Sequence, residues 1–195
     1  MLGETHFEEE VGYFWGDIQT RDYMRARQGL AVELWKRGRR DDAIGHLQEL
    51  LRLNPQDNMG NRYILLPWLI QQDRDREVEV VLKGWPKDVE HYDAMIMWTK
   101  ALADFRQDPA SATPTLAAAA ELNAFIPEFL FKKKWVDTHS TSGYERGKQS
   151  EANEYAKLSL DAWSMQAIEW VDVTLAALGM NQAASDPKHT FYSHS

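Results

Sequence analysis

The chain has 195 residues, of which 44% are hydrophobic and 11% aromatic, with eight tryptophans; that is enough apolar surface to offset the cost of ordering and to build a core. A formal net charge of −8 and a pI near 5.3 argue against a general binder of nucleic acid or anionic membrane, since both partners are themselves negative. With no cysteine, disulfides, thiolate zinc sites, iron–sulfur clusters and thiol nucleophiles are excluded.

Residues 1–20 read as a tail and an aromatic cap. MLGETHFEEE is polar and acidic and lacks the basic start and apolar stretch of a secretory signal. Val11 to Gly16 is a dense aromatic patch between two glycines, expected to pack on the first hairpin rather than stand as an exposed contact surface. Asp17 or Thr20 then caps the helix that carries Tyr23.

Tyr23 to Pro55 reads as one helical hairpin. Met24, Arg27, Leu30, Ala31 and Leu34 recur at helical spacing, and Gly38-Arg39-Arg40 breaks the pattern. Asp41-Asp42 place carboxylates at the start of a second helix, where they can cap amides and favour the dipole. Ala43, Ile44, Leu47, Leu50 and Leu51 form its apolar face, and Asn54-Pro55 stops it. A second hairpin follows. Met59, Tyr63, Leu66 and Ile70 define its first helix, which Pro67 should kink or shorten. Val78, Val81 and Leu82 define the second, ended by Gly84-Trp85-Pro86.

A third hairpin opens at Asp88 as a cap and runs to Phe105. Thr113-Pro114 then reads as a capping hydroxyl followed by proline at the first helical position. The alanines from Ala117 to Ala120 suit close helix–helix packing. Beyond Pro127 the pattern degrades: a short helix is expected over Glu128–Trp135, a loop over Asp137–Lys148, a helix from Ser150 through Trp163, and a last apolar helix over Ala167–Leu178, ended by Gly179. Residues 181–195 read as a disordered tail. No stretch alternates with a period of two, so the expectation is all-α throughout.

The Tyr23–Pro55 hairpin resembles a tetratricopeptide repeat, whose unit is a helix–turn–helix of about 34 residues. The resemblance covers roughly Arg21 to Ala124 and implies a right-handed solenoid of about three hairpins with extra C-terminal capping helices, all within one repeat domain over 21–180. The runs FWGDIQTRDYMRARQGLA and DNMGNRYILLPWL are also similar to the repeat region of the suppressor-of-tumorigenicity-seven family and related bacterial repeat proteins. In tetratricopeptide arrays the first helix of each hairpin lines a concave groove. Carried over by position, that groove presents Arg25, Gln28, Val32 and Trp35, then Met59, Arg62, Tyr63 and Leu66, then Ala94, Met97, Trp98 and Ala101. Family members that grip a terminal carboxylate use a Lys–Asn–Asn–Lys–Arg set. The matching positions here are Gln28, Val32, Tyr63, Ala94 and Trp98, which cannot form that clamp.

Chemistry is sparse. Six histidines are scattered without metal-binding spacing. Gly143 to Lys148 has too few residues between its glycines for a phosphate loop, and Ser140, Thr141 and Ser142 lack a His–Asp pair or a nucleophile elbow. The acidic pairs Asp41/Asp42 and Asp73/Asp75 sit at turns, where capping accounts for them. The longest apolar run, Ile64–Ile70, falls well short of the roughly 20 residues of a membrane helix. These features point to a cytoplasmic, non-enzymatic adaptor that binds a protein or peptide in its groove, with no cofactor, metal, nucleic acid or membrane partner. Arg25, Gln28, Trp35, Met59, Arg62, Tyr63, Met97 and Trp98 are the expected contacts. The alternatives are a self-associating homo-oligomeric subunit, a groove filled by the C-terminal helices, or a small-ligand or catalytic site near 137–148.

Overall fold

The computed structural model describes residues 11–84, 93–132, 134–139 and 143–180. The acidic start, the proposed Asp88 cap and the tail at 181–195 lie outside them. Among the described residues there are α-helices and one 3-10 turn, with no strand. The chain divides into two compact units, Met1–His91 and Tyr92–Ser195.

The first unit holds α1 (Ile18–Lys36), α2 (Arg40–Leu53), α3 (Asn61–Gln71) and α4 (Asp75–Lys83). Asp17 caps α1 by accepting from the Gln19 amide at 2.9 Å, and the buried Thr20 hydroxyl donates to the Asp17 carbonyl at 2.8 Å. The Gly12 and Phe14 amides donate to the Leu53 carbonyl at 3.0 and 3.3 Å, which ties the aromatic segment to the end of α2. Phe14 is thereby fully buried, whereas Tyr13 is 76% exposed. After α1, Gly38 takes φ +80°, a left-handed conformation that an L side chain rarely adopts.

At α2 the capping expectation changes. Its first flanking residue is Arg39, and neither Asp41 nor Asp42 bonds a backbone amide there. Asp42 pairs with Arg39 at 2.7 Å and Asp41 with Arg74 at 3.1 Å, so their effect on α2 is through the helix dipole. Helix α3 continues through Pro67 from Asn61 to Gln71, with Leu65, Leu66, Leu69 and Ile70 buried around it.

Helices α1 and α2, α2 and α3, and α3 and α4 pack in succession. Three contacts join equivalent places of the two hairpins. Gln28 Nε2 donates to Asn61 Oδ1 at 2.9 Å, Trp35 stacks on Trp68 with centroids 4.2 Å apart, and Arg74 reaches Asp41. Each pair is separated by 33 residues in sequence. Gln48 on α2 adds a 2.7 Å bond to Glu77 on α4.

The second unit holds α5 (Ala94–Gln107), α6 (Thr113–Leu122), α7 (Ile126–Leu130), α8 (Gln149–Ser159), a 3-10 turn (Leu160–Ala162) and α9 (Met165–Ala177). Asp93 caps α5 by accepting from the Ile96 amide at 3.1 Å. Thr113 is the first residue of α6 rather than its cap, with Pro114 second and Ala112 before them. Proline is tolerated there because the first helical amides have no intrahelical partner. The short helix begins at Ile126 and stops at Leu130, earlier than expected, because Lys132 turns to φ +54°. Helix α8 ends before Trp163, whose indole instead donates to the Tyr155 hydroxyl at 3.0 Å. Helix α5 pairs with α6 and α8, and α9 pairs with α6 and α7.

The loop before α8 is pinned by a buried carboxylate. Glu151 Oε2 accepts from Asn123 Nδ2 at 2.9 Å and from the Gly147 amide at 2.7 Å. Gly147 has φ +72°, and a side chain there would meet the Leu122 carbonyl at 3.3 Å.

Candidate functional site

The expected contact residues fall into three groups. Arg25 is exposed, pairs with Asp22 at 3.2 Å, and lies 5.7 Å from the Trp15 ring centroid. Met59, Tyr63 and Met97 are half-buried. Gln28 and Trp35 are also half-buried but serve the seam between α1 and α3. The Gln28 amide donates to Asn61 Oδ1 and to the Met59 carbonyl at 3.3 Å. Trp35 lies between Trp68, parallel to within 2°, and the Arg40 guanidinium, 4.0 Å from its centroid. Two groups that close must take opposite faces of the ring.

Arg62 and Trp98 are enclosed in the core, at 3% and 0% exposure, with Arg62 lining the inner wall of a cleft between α2 and α4. Asp57 organises Arg62. Its carboxylate accepts from the Asn61 amide at 2.7 Å and the Arg62 amide at 2.9 Å, closing the start of α3. The Arg62 guanidinium sits 3.6 Å from the same carboxylate and donates to the Pro55 and Gly84 carbonyls at 3.1 and 3.3 Å. Burial pushes the Asp57 carboxyl up against the opposing pull of those amides and of Arg62, and burial pulls the guanidinium down. In the second unit Trp98 donates to the Asn123 carbonyl at 3.3 Å and tilts against Trp163. Arg25, Met59 and Tyr63 therefore remain in the first unit as accessible members of the expected set, and Met97 remains in the second.

Among the clefts that open on the described surface are three of note. One, of about 410 Å³, lies between α2 and α4 and is lined by Leu51, Pro55, Val80 and Val81 together with Gln48, Arg62 and Glu77. Another, also about 410 Å³, lies on α9 between Phe131, Met165 and Ile168, edged by Glu169 and Asp172.

The third, of about 310 Å³, is lined by Tyr23, Ala26, Arg27 and Leu30 of α1 and by His46 of α2. Arg27 Nη1 donates to the Tyr23 hydroxyl. Arg27 Nε and His46 Nδ1 are buried and lack a hydrogen-bond partner among the described residues. Burial, then the Arg27 charge, pulls the His46 imidazole below its usual range. The sequence places Arg27 and Leu30 in one helical stripe, but a single-helix pattern does not bring a lone histidine on α2 against them.

Among the described residues no three His, Asp or Glu side chains converge as metal ligands, and no helix is long and apolar enough to cross a membrane. Comparison with known proteins found no matching family model, no matching curated protein and no matching solved structure.

Proposed function

We propose that the chain is a non-enzymatic helical-repeat module of the tetratricopeptide kind. It holds a protein or peptide partner on the side that α1 and α3 share in the first unit. The observation that carries this reading is the register of the two hairpins. Three unrelated contacts, a hydrogen bond, an aromatic stack and an ion pair, each join residues 33 apart. A repeat of about 34 residues stacked on its neighbour makes such contacts as a matter of course. On that side Arg25 and Tyr63 supply the residue types that dominate interface energetics, beside the adaptable Met59.

The test is affinity capture from native extract, quantified by mass spectrometry, with wild type and an Arg25→Glu/Tyr63→Ala variant of unchanged helicity. The reading expects one partner enriched by wild type and lost from the variant. Equal capture by both refutes the site.

A second reading is self-association through α9. Met165 and Val173 are 77% and 63% exposed there, beside the cleft floored by Phe131 and Ile168. Exposed apolar side chains beside such a cleft favour an interface. Light scattering at tens of micromolar decides it, since a monomer excludes this reading.

A further inference from the structure

A side of α1 that the proposed partner face does not use carries its own recognition chemistry. At about 100° per residue, Leu30 and Ala26 lie roughly 160° around α1 from Gln28, which faces α3. With Tyr23 and Arg27 they wall the 310 Å³ cleft against His46 of α2. Leu30 is 47% exposed and so presents apolar surface at the mouth of this cleft.

The charge balance of this cleft is uneven. Arg39 pairs with Asp42 at 2.7 Å, and Arg52 pairs with Glu49 through two bonds at 2.7 and 2.8 Å. Those four charges cancel. Arg27 has the Tyr23 hydroxyl and ring as its neighbours; the Glu49 carboxylate feels its charge at longer range, and no carboxylate among the described residues forms an ion pair with it. One positive charge therefore stands over an apolar wall. A guanidinium is the side chain best matched to a carboxylate, and the buried Nε and Nδ1 groups add polar capacity that the fold leaves unused.

We infer that this α1–α2 cleft binds an acidic peptide segment of another protein, with a carboxylate side chain on Arg27 and a neighbouring apolar side chain on Ala26 and Leu30. The site is separate from the α1–α3 face and does not depend on it. Its chemistry is charge-assisted recognition beside an apolar anchor, the combination that makes a single arginine a binding hot spot.

The experiment is fluorescence anisotropy on the full chain with a fluorescein-labelled peptide of alternating glutamate and leucine. Matched lysine–leucine and glutamate–serine peptides serve as controls. Saturable binding of the glutamate–leucine peptide is expected, at least tenfold tighter than either control. Arg27→Gln should weaken it about tenfold and Leu30→Ser about fivefold, whereas the exposed Lys36→Glu should leave it unchanged. Leu30 is exposed enough that its variant keeps the test valid if Arg27→Gln unfolds. Equal loss on Lys36→Glu means diffuse attraction and overturns the site, as does binding indifferent to Leu30→Ser. Binding seen only after Glu8, Glu9 and Glu10 are replaced by serine assigns the cleft to the chain's own acidic start, and equally overturns the inference.

Discussion

Asp57→Asn puts the buried junction between the hairpins under direct test. The native carboxylate accepts from the Asn61 and Arg62 amides at 2.7 and 2.9 Å and faces the Arg62 guanidinium at 3.6 Å. Asparagine keeps the shape and tolerates the φ of +53° at this position, so backbone strain is not what changes. What changes is one acceptor, since an amide nitrogen now opposes one of the two amides, and the negative charge. Loss of a helix-end acceptor costs about 1 kcal/mol. Removing one member of a buried ion pair costs about 3–5 kcal/mol, and the lower end applies because Arg62 keeps its bonds to the Pro55 and Gly84 carbonyls. The sum is about 4 kcal/mol. Urea unfolding measures it, and hydrogen exchange of α3 amides assigns it to the first unit, since two compact units need not unfold together. In the double variant with Arg62→Met the buried charge is gone, and at least about 2 kcal/mol should return. A cost below about 1 kcal/mol for Asp57→Asn, or a double variant weaker than both singles, refutes the reasoning.

Other outcomes follow from the same contacts. Trp35→Ala removes the ring between Trp68 and Arg40 and should cost about 3 kcal/mol in urea unfolding, while Trp35→Phe should recover more than half. Glu151→Ala unpins the loop at Gly147, so limited trypsin digestion should cut after Arg146 or Lys148 at least tenfold faster. The Tyr155 hydroxyl, fully enclosed, is pushed up to about 12 by burial. Because the folded value lies above the unfolded one, its contribution to stability is intact below pH 10. It is lost between pH 10 and about 12, to the extent of about 3 kcal/mol. Tyr155→Phe should flatten that alkaline decline and remove a late-titrating tyrosine from the absorbance curve. The His46 imidazole is held low, so the unfolded chain takes its proton first, and stability falls as pH drops through the usual histidine range. His46→Gln should make that acid decline shallower in thermal melts.

What was legible in the sequence was what local chemistry decides. Asp17 before α1, Gly38 after it, Asn54-Pro55 after α2 and Gly179 after α9 mark their boundaries through capping and left-handed backbone, which need only a few neighbours. Where two local signals compete, the frame slipped: Pro114 and Pro127 each take the second helical position, and Lys132 ends α7 early. The fate of Arg62 and Trp98 was not legible because helical spacing gives an angle around one axis and not what packs against it. Arg62 is closed in by carbonyls at Pro55 and Gly84, and Trp98 by the Asn123 carbonyl and Trp163. Asp57, five residues ahead of Arg62 in the turn before α3, was the available hint. The cleft at Arg27 and His46 needs two helices in register, which no single-helix pattern provides.

The most direct measurement places a photo-crosslinking benzoylphenylalanine at Arg25, on the proposed face, and in a second protein at Gly45, where an added side chain meets open space on α2. Both are irradiated in native extract. A binding module acting through α1 and α3 gives a discrete adduct with one partner from position 25 that position 45 does not give. The same adduct from both positions, or none from position 25, contradicts it.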